Sequence, residues 1–246
     1  MNRFAICVTS VIALSAAGRP GPNFSPARFR DGGTPAIPVA ALAGGEVFVE
    51  IHVDASGRVT GAVPLRVTPP FTASVIAAVK DWRFVPAEEA VIPDFGAPRE
   101  RRARVASSVL VAAVFRPPTL VGPTLGDLPK DVAAGSSAVP VPIATTAPGF
   151  PPMAIAGGTV LLEVRVDAAG VVSDVGVIQT CPPFDDPAIA AVREWRFRPA
   201  HRHGDAAESL AYVIFGFRAP IGESARPDPL SRRLSVDFLH EFPTRE

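Results

Sequence analysis

The side chains that could do chemistry are few, and most of them lie in the second half of the chain. His201, His203, Cys181 and Asp185 are of types that bind zinc, but their spacing matches no standard zinc motif. We therefore interpret the two histidines as exposed-loop residues, and we expect neither a metal nor another cofactor. Asp185 and Asp186 could act as a paired acid and base, but Asp186 is explained directly as the N-cap of a helix.

Other catalytic patterns do not stand out in the sequence. Gly157-Gly158 opens a predicted strand and not the helix that a phosphate-binding loop requires. Trp82 and Trp195 could stack on a ligand, but each ends the apolar stripe of a helix, which is typical of core residues. Four arginines could form a basic rim for a phosphate or a cell-wall polymer, or simply a solvated face: Arg83, Arg196, Arg198 and Arg202. We predict no catalytic residues and no enzymatic activity.

The composition favours folded, interaction-type domains over nucleic-acid or membrane-surface binding. Nearly half of the 246 residues are apolar (48%), which is enough for a sizeable core. Basic and acidic residues balance at 24 each, so no overall field attracts nucleic acid. The length fits one large domain or two small ones.

Residues 1–17 have the pattern of a secretory signal peptide. Arg3 is followed by the apolar run 4–14 and by the small-residue cleavage site Ser15-Ala16-Ala17. The run is too short to span a bilayer, which needs about 20 apolar residues. We expect a periplasmic protein without a later bilayer-spanning segment, with an uncleaved inner-membrane anchor as the alternative. Cleavage would leave Cys181 as the only thiol.

The sequence contains an internal repeat. Matching segments lie 113 positions apart without a gap, as Trp82 and Trp195 do. The matches include Asp54-Ala55-Ser56-Gly57 with Asp167-Ala168-Ala169-Gly170, and Trp82-Arg83-Phe84 with Trp195-Arg196-Phe197. The spacing falls to 102 near the ends of the repeats, so the first copy holds eleven extra residues within 88–104. We interpret this charged insert as a solvated loop.

The same strands and helix are predicted in each copy of the repeat. Residues 47–53 alternate strictly in their second half, with Glu50 and His52 on the face opposite Val49 and Ile51, and residues 160–166 repeat the pattern, which indicates a strand with one buried face. An Asp-Ala-x-Gly turn and a second strand follow, at 59–67 and 171–179. A helix then carries an apolar stripe, Ile76, Val79 and Trp82 in one copy and Ile189, Val192 and Trp195 in the other. Last strands are predicted at 105–115 and 210–218, and one helical turn at 151–155.

The predicted fold class is α+β, with two tandem small modules. Each comprises a short helix, a β-hairpin, a crossover helix and a third strand, so that a three-stranded antiparallel sheet carries helices on one face. Module 1 spans 35–118 and module 2 spans 148–220, with a linker at 119–147 and a polar tail at 221–246. A right-handed crossover places the third strand beside the first and leaves it as an open edge.

These motifs together resemble the C-terminal domain of TonB, in two tandem copies. The resemblance rests on Phe150-Pro151, Gly-x-Val, Val-Asp-x-x-Gly and the run 195–200 (WRFRPA). The second copy fits better, because the first has Ile37 before its proline and carries Pro64 inside its second strand. A proline there indicates an edge or a bulge.

The resemblance implies a periplasmic module that pairs with extended peptide segments of envelope proteins, including outer-membrane TonB-dependent receptors, and so supports transport. The matching edge comprises Phe150, Pro151, Leu210, Ala211, Tyr212, Val213, Ile214 and Phe215. The alternative is a non-transducing envelope scaffold or cell-wall-binding protein whose modules pair with each other or form a homodimer. The sequence shows no convincing membrane helix or long Pro-rich spacer for energy transduction.

Overall fold

A computed structural model describes residues 24–38, 44–91, 101–116 and 136–218 of the chain. The predicted signal peptide and polar tail lie outside these residues. The strands are β1 (Phe24–Ser25), β2 (Arg28–Asp31), β3 (Gly45–Val53), β4 (Val59–Arg66), β5 (Arg83–Val85), β6 (Ala87–Val91), β7 (Arg101–Val105), β8 (Ser107–Arg116), β9 (Val141–Ala144), β10 (Gly158–Val166), β11 (Val172–Gln179), β12 (Arg196–Arg198), β13 (Ala200–Arg202), β14 (Asp205–Ala207) and β15 (Ser209–Phe217). The helices are α1 (Phe71–Lys80) and α2 (Asp185–Arg193). Neither helix is long and apolar enough to cross a membrane.

One six-stranded sheet organises the fold, in the order β11-β10-β15-β8-β3-β4. Each half of the chain supplies three neighbouring antiparallel strands: the first half (residues 24–116) supplies β4, β3 and β8, and the second half (residues 136–218) supplies β11, β10 and β15. The predicted hairpins are therefore confirmed, and so is the position of each third strand beside the first.

The two third strands pair with each other, which contradicts the predicted open edge. Strands β8 and β15 run parallel, with Cα partners from Leu110↔Ala211 to Arg116↔Phe217. We call this pairing the seam. Because β15 is also paired with β10 along its whole length, it has neighbours on both sides. Each third strand thereby satisfies the backbone groups that the other would leave exposed.

The helices lie on opposite faces of the sheet. Alternate residues of β8 enter two separate apolar cores, with Val111 in the core that contains Val75 of α1, and Ala112 in the core that contains Val192 of α2. The two halves are therefore related by a pseudo-two-fold rotation axis that runs parallel to the seam strands. Both faces are consequently buried, and the expectation of a single buried face was wrong, because Phe48 on the other face of β3 is fully buried as well.

Two extended segments, one at the start of each half, lie on the same face of the sheet as the helix of that half and extend its apolar core over strands of the opposite half. The first arm (residues 24–38) pairs β2 with β5, and the second arm (residues 136–146) pairs β9 with β12. Trp82 donates its indole N–H to the first arm and Trp195 donates to the second, at 2.8 and 2.9 Å. Part of the predicted linker is therefore an ordered arm, because an unpaired Trp N–H in the core would be costly.

The insert at 88–104 is a hairpin in part, and not only the solvated loop that we expected. Strands β6 and β7 pair in antiparallel fashion, and β1 adds to β6. Glu88 faces Arg104 across the pair, so opposite charges support the strands where apolar alternation is weak. The second half has a shorter hairpin at the same place, β13 and β14.

The helix starts two residues before the predicted position. Helix α2 begins at Asp185 with Phe184 as its N-cap, so Asp186 is not the cap. The Asp185 carboxylate instead accepts the backbone N–H of Cys181 at 2.7 Å and holds the preceding turn. Residues 151–155 form a turn, not the predicted helix turn.

The turn glycines give a stability test. Gly170 has φ +80°, and a Cβ there would lie 1.9 Å from the Phe197 carbonyl oxygen. We expect Gly170→Ala to lower the free energy of unfolding by about 3 kcal/mol, because it combines a strained φ with a backbone clash. The control is Gly176→Ala, where the nearest atom is 4.0 Å away. Equal urea midpoints for the two variants would contradict this account.

Candidate partner-binding strands

The predicted binding strand lies in the centre of the sheet. Its six predicted residues, Leu210 to Phe215, are at most 6% exposed. Phe150 contacts the rings of Phe184 and Phe217, at centroid distances of 5.5 and 6.1 Å, and Pro151 is half-buried beside it. The structure thus brings Phe150 to one end of the predicted strand, but as a packing residue. Partner binding by this strand stays a prediction, and it requires the seam to open.

Side-chain size is matched along the seam. Small Ala112 and Ala113 of β8 face the larger Val213 and Ile214 of β15. At Gly216 a Cβ would lie 2.7 Å from the ring of Phe115, so a glycine is required for that ring to pack. This fit favours a permanent contact between the halves over an exposed edge.

The first arm binds a glutamate of the second half. Arg28 Nη2 lies 2.9 Å from Glu163 Oε1, and the Tyr212 hydroxyl donates to Glu163 Oε2 at 3.1 Å. The same hydroxyl accepts the backbone N–H of Phe29 at 2.7 Å. Burial raises the pKa of Tyr212 well above its usual range, so the phenol stays neutral and can donate.

The second arm binds a glutamate of the first half in return. Glu50 lies 113 positions before Glu163 and accepts the backbone N–H of Ser136 at 2.9 Å, together with the Ser136 hydroxyl. Burial alone would raise the pKa of Glu50, but the hydrogen bonds from Ser136 outweigh it and hold the pKa below its usual range. Each arm therefore joins its own half to the opposite one.

A second carboxylate anchors the same arm. Glu46 is 3% exposed, forms an ion pair with Arg66 at 2.5 Å, and accepts the Thr145 hydroxyl at 2.8 Å. Burial raises the pKa of Glu46 despite these partners. Arg66 is consequently held at the end of β4.

Within the described ranges, the edges of the six-stranded sheet are its outer strands, β4 and β11. Strand β4 contains Pro64 and leaves Val63 47% exposed, whereas β11 has no proline and leaves Val177 and Ile178 43% and 37% exposed. Sequence reasoning missed β11 because it assigned the open edge to the third strand. The signal that could have revealed it was the contrast between Pro64 and the valine 113 positions later.

The other residues that were considered for chemistry make structural contacts. His203 adopts φ 52° in a turn, with its Nε2 3.3 Å from Glu89 Oε1. In the described part of the chain, no group of three or more His, Cys, Asp or Glu residues could hold a metal ion. Trp82 and Trp195 are fully buried, and the guanidinium of Arg202 lies 3.0 Å from the ring centre of Phe24.

The contact between Glu50 and the second arm predicts a pH-dependent stability. Because the folded pKa is lowered, the contribution of Glu50 is present above the unfolded pKa of about 4.3 and fades as the pH falls through the folded value. We expect Glu50→Gln to lower the free energy of unfolding by about 2 kcal/mol at pH 7 and by clearly less at pH 3. Urea unfolding of this variant and of the exposed control Glu194→Gln measures the difference. A loss that is equal at both pH values would contradict the assignment.

Comparison with known proteins gives a family match within the second half. No curated protein matches the sequence. Residues 147–218 match the model of the family described as Gram-negative bacterial TonB protein C-terminal, a periplasmic protein-interaction domain.

Proposed function

We propose that the protein is a periplasmic, TonB-like binding protein that pairs a strand edge with extended segments of envelope proteins, outer-membrane receptors among them. The role is binding, without catalysis and without energy transduction by this chain alone. One observation carries the proposal: residues 147–218, which match a protein-interaction family, supply half of a sheet whose third strands pair with each other and whose outer strands have one strand neighbour each among the described residues.

Residues 35–118 are, in this proposal, a second copy of the same module. The support is that contacts recur at the 113-residue spacing. Trp82 and Trp195 donate to Gly33 and Thr146, which are themselves 113 positions apart. The bulge in the β3–β4 pairing also falls at the same place as the bulge in the β10–β11 pairing.

A second candidate function is an envelope scaffold that binds no peptide. The seam favours the scaffold function, because the third strands of the two halves are already paired with each other. A scaffold needs a fixed spacing between the ends of one continuous sheet, and the crossed arm contacts would hold that spacing. The two functions differ in whether a free peptide binds the protein.

A disulfide across the seam tests whether the third strand is the binding strand. Ala112 and Val213 are Cα partners that enter the same core, and neighbouring strands lie about 4.8 Å apart, within disulfide range. We expect Ala112→Cys with Val213→Cys, in a Cys181→Ser background, to bind peptides equally well oxidised and reduced. Peptides selected from a phage-displayed random decapeptide library on the wild-type protein serve as the probe, with binding measured by fluorescence anisotropy.

The reduced form of the same variant is the control. Binding that disappears on oxidation and returns on reduction would assign the site to Leu210–Phe215, with opening of the seam. Failure to select any binding peptide on the wild-type protein would reject peptide recognition and leave the scaffold.

A further inference from the structure

We infer that the outer edge of β11 is the docking edge, and that it takes an extended segment with alternating apolar side chains and a basic residue opposite Asp174. This inference rests on the proposed function and names the strand and the chemistry of its partner. The other outer strand, β4, occupies the equivalent position in the first half, so the two strands can be compared residue by residue.

The two outer strands have the same register, so their differences are informative. Val49 of β3 faces Pro64, and Leu162 of β10, which lies 113 positions later, faces Val177. In both pairs a bulge adjoins this position. Pro64 and Val177 therefore occupy equivalent places at the two ends of the sheet.

Proline at this place removes a hydrogen-bond donor from the outer edge. Pro64 sits in a strand that remains paired with β3, so its nitrogen is directed away from β3, where proline is tolerated. By equivalence the N–H of Val177 is directed outwards from the sheet. An added strand can accept this N–H on β11 but finds no donor at the equivalent position of β4.

The ends of the two strands differ as well. Arg66 of β4 is bound to the buried Glu46, and its guanidinium carbon lies 5.8 Å from the ring centre of Phe48. The equivalent residue of β11 is the neutral Gln179, which donates to the Thr159 carbonyl at 3.4 Å. An incoming strand therefore meets a fixed cation beside β4 but an uncharged amide beside β11.

Apolar side chains along β11 favour an apolar partner on one face. Val175 and Val177 face Val164 and Leu162, which are both in the core beneath α2. Val175 is partly covered by that core, whereas 43% of Val177 is exposed. A further strand with an apolar residue at this level would extend the core outwards.

The charge on β11 selects against strand β11 of a second copy as the occupant. Asp174 is exposed and faces Arg165, whose guanidinium is bound by Glu208. A basic residue on an added strand would complement the carboxylate. Strand β11 itself (VSDVGVIQ) has no basic residue, so pairing of two β11 strands cannot supply one.

Val177→Pro is the decisive variant, because it gives β11 the proline that β4 already accommodates. We expect the thermal unfolding temperature to be unchanged. The decapeptides selected on the wild-type protein should bind about tenfold more weakly, because the variant loses one outward N–H and the backbone hydrogen bonds next to it. The matched control is Pro64→Val, which should leave this affinity unchanged. Isothermal titration and circular dichroism give the two readouts.

Asp174→Lys tests the charge without altering the backbone. We expect about threefold weaker binding of selected peptides that carry Lys or Arg, and a matching gain for the same peptides with Glu in that place. If Val177→Pro and Asp174→Lys both bind like wild type, the β11 assignment is wrong while peptide recognition stands.

Two other outcomes would also overturn the assignment. A wild-type dimer that Val177→Pro converts to a monomer, detected by sedimentation, would make a second copy the occupant. Selection of no peptide at all would remove both this inference and the proposed function.

Discussion

The parallel pairing of β8 with β15 is the interaction on which the rest of the structure depends. A three-stranded sheet with one helix has an uncovered third strand, and two such units can satisfy that strand by sharing it. Because the shared strands run parallel, the pseudo-two-fold axis lies in the sheet, and the helices must lie on opposite faces. Each half then has one face that its own helix cannot cover.

The arms follow from that requirement. Each arm contacts the tryptophan of its own half and a glutamate of the other half. The first arm contacts Glu163, and the second contacts Glu50. The two halves thus share backbone ladders, apolar cores and ionic contacts. The third strands are interior to the sheet, and the outer strands β4 and β11 form its edges.

Local patterns in the sequence predicted the elements well, and relations between distant elements poorly. Alternation in residues 47–53 and the Asp-Ala-x-Gly turns were enough for the hairpins, and the right-handed crossover predicted the partner of each third strand. They could not reveal the seam, since an interior strand and a half-buried edge strand can have the same apolar residues. Glu50, on the face that was not expected to be buried, is 3% exposed because the second arm covers it, and that arm has no periodicity that the sequence would reveal. For the same reason the candidate site was assigned to β15, and the contrast of Pro64 with Val177 was not used.

The seam also determines how the chain can fold. Leu110 and Ala211 are neighbours in space but about a hundred residues apart in sequence, so this pairing has a large loop-closure entropy and forms late. A chain that emerges from its N-terminus completes β8 well before β15 is available. During that interval an apolar strand with unpaired backbone groups is exposed to other chains. The seam that removes an open strand edge from the native protein therefore leaves one exposed in its folding intermediate, where β8 can pair with the strand of another chain.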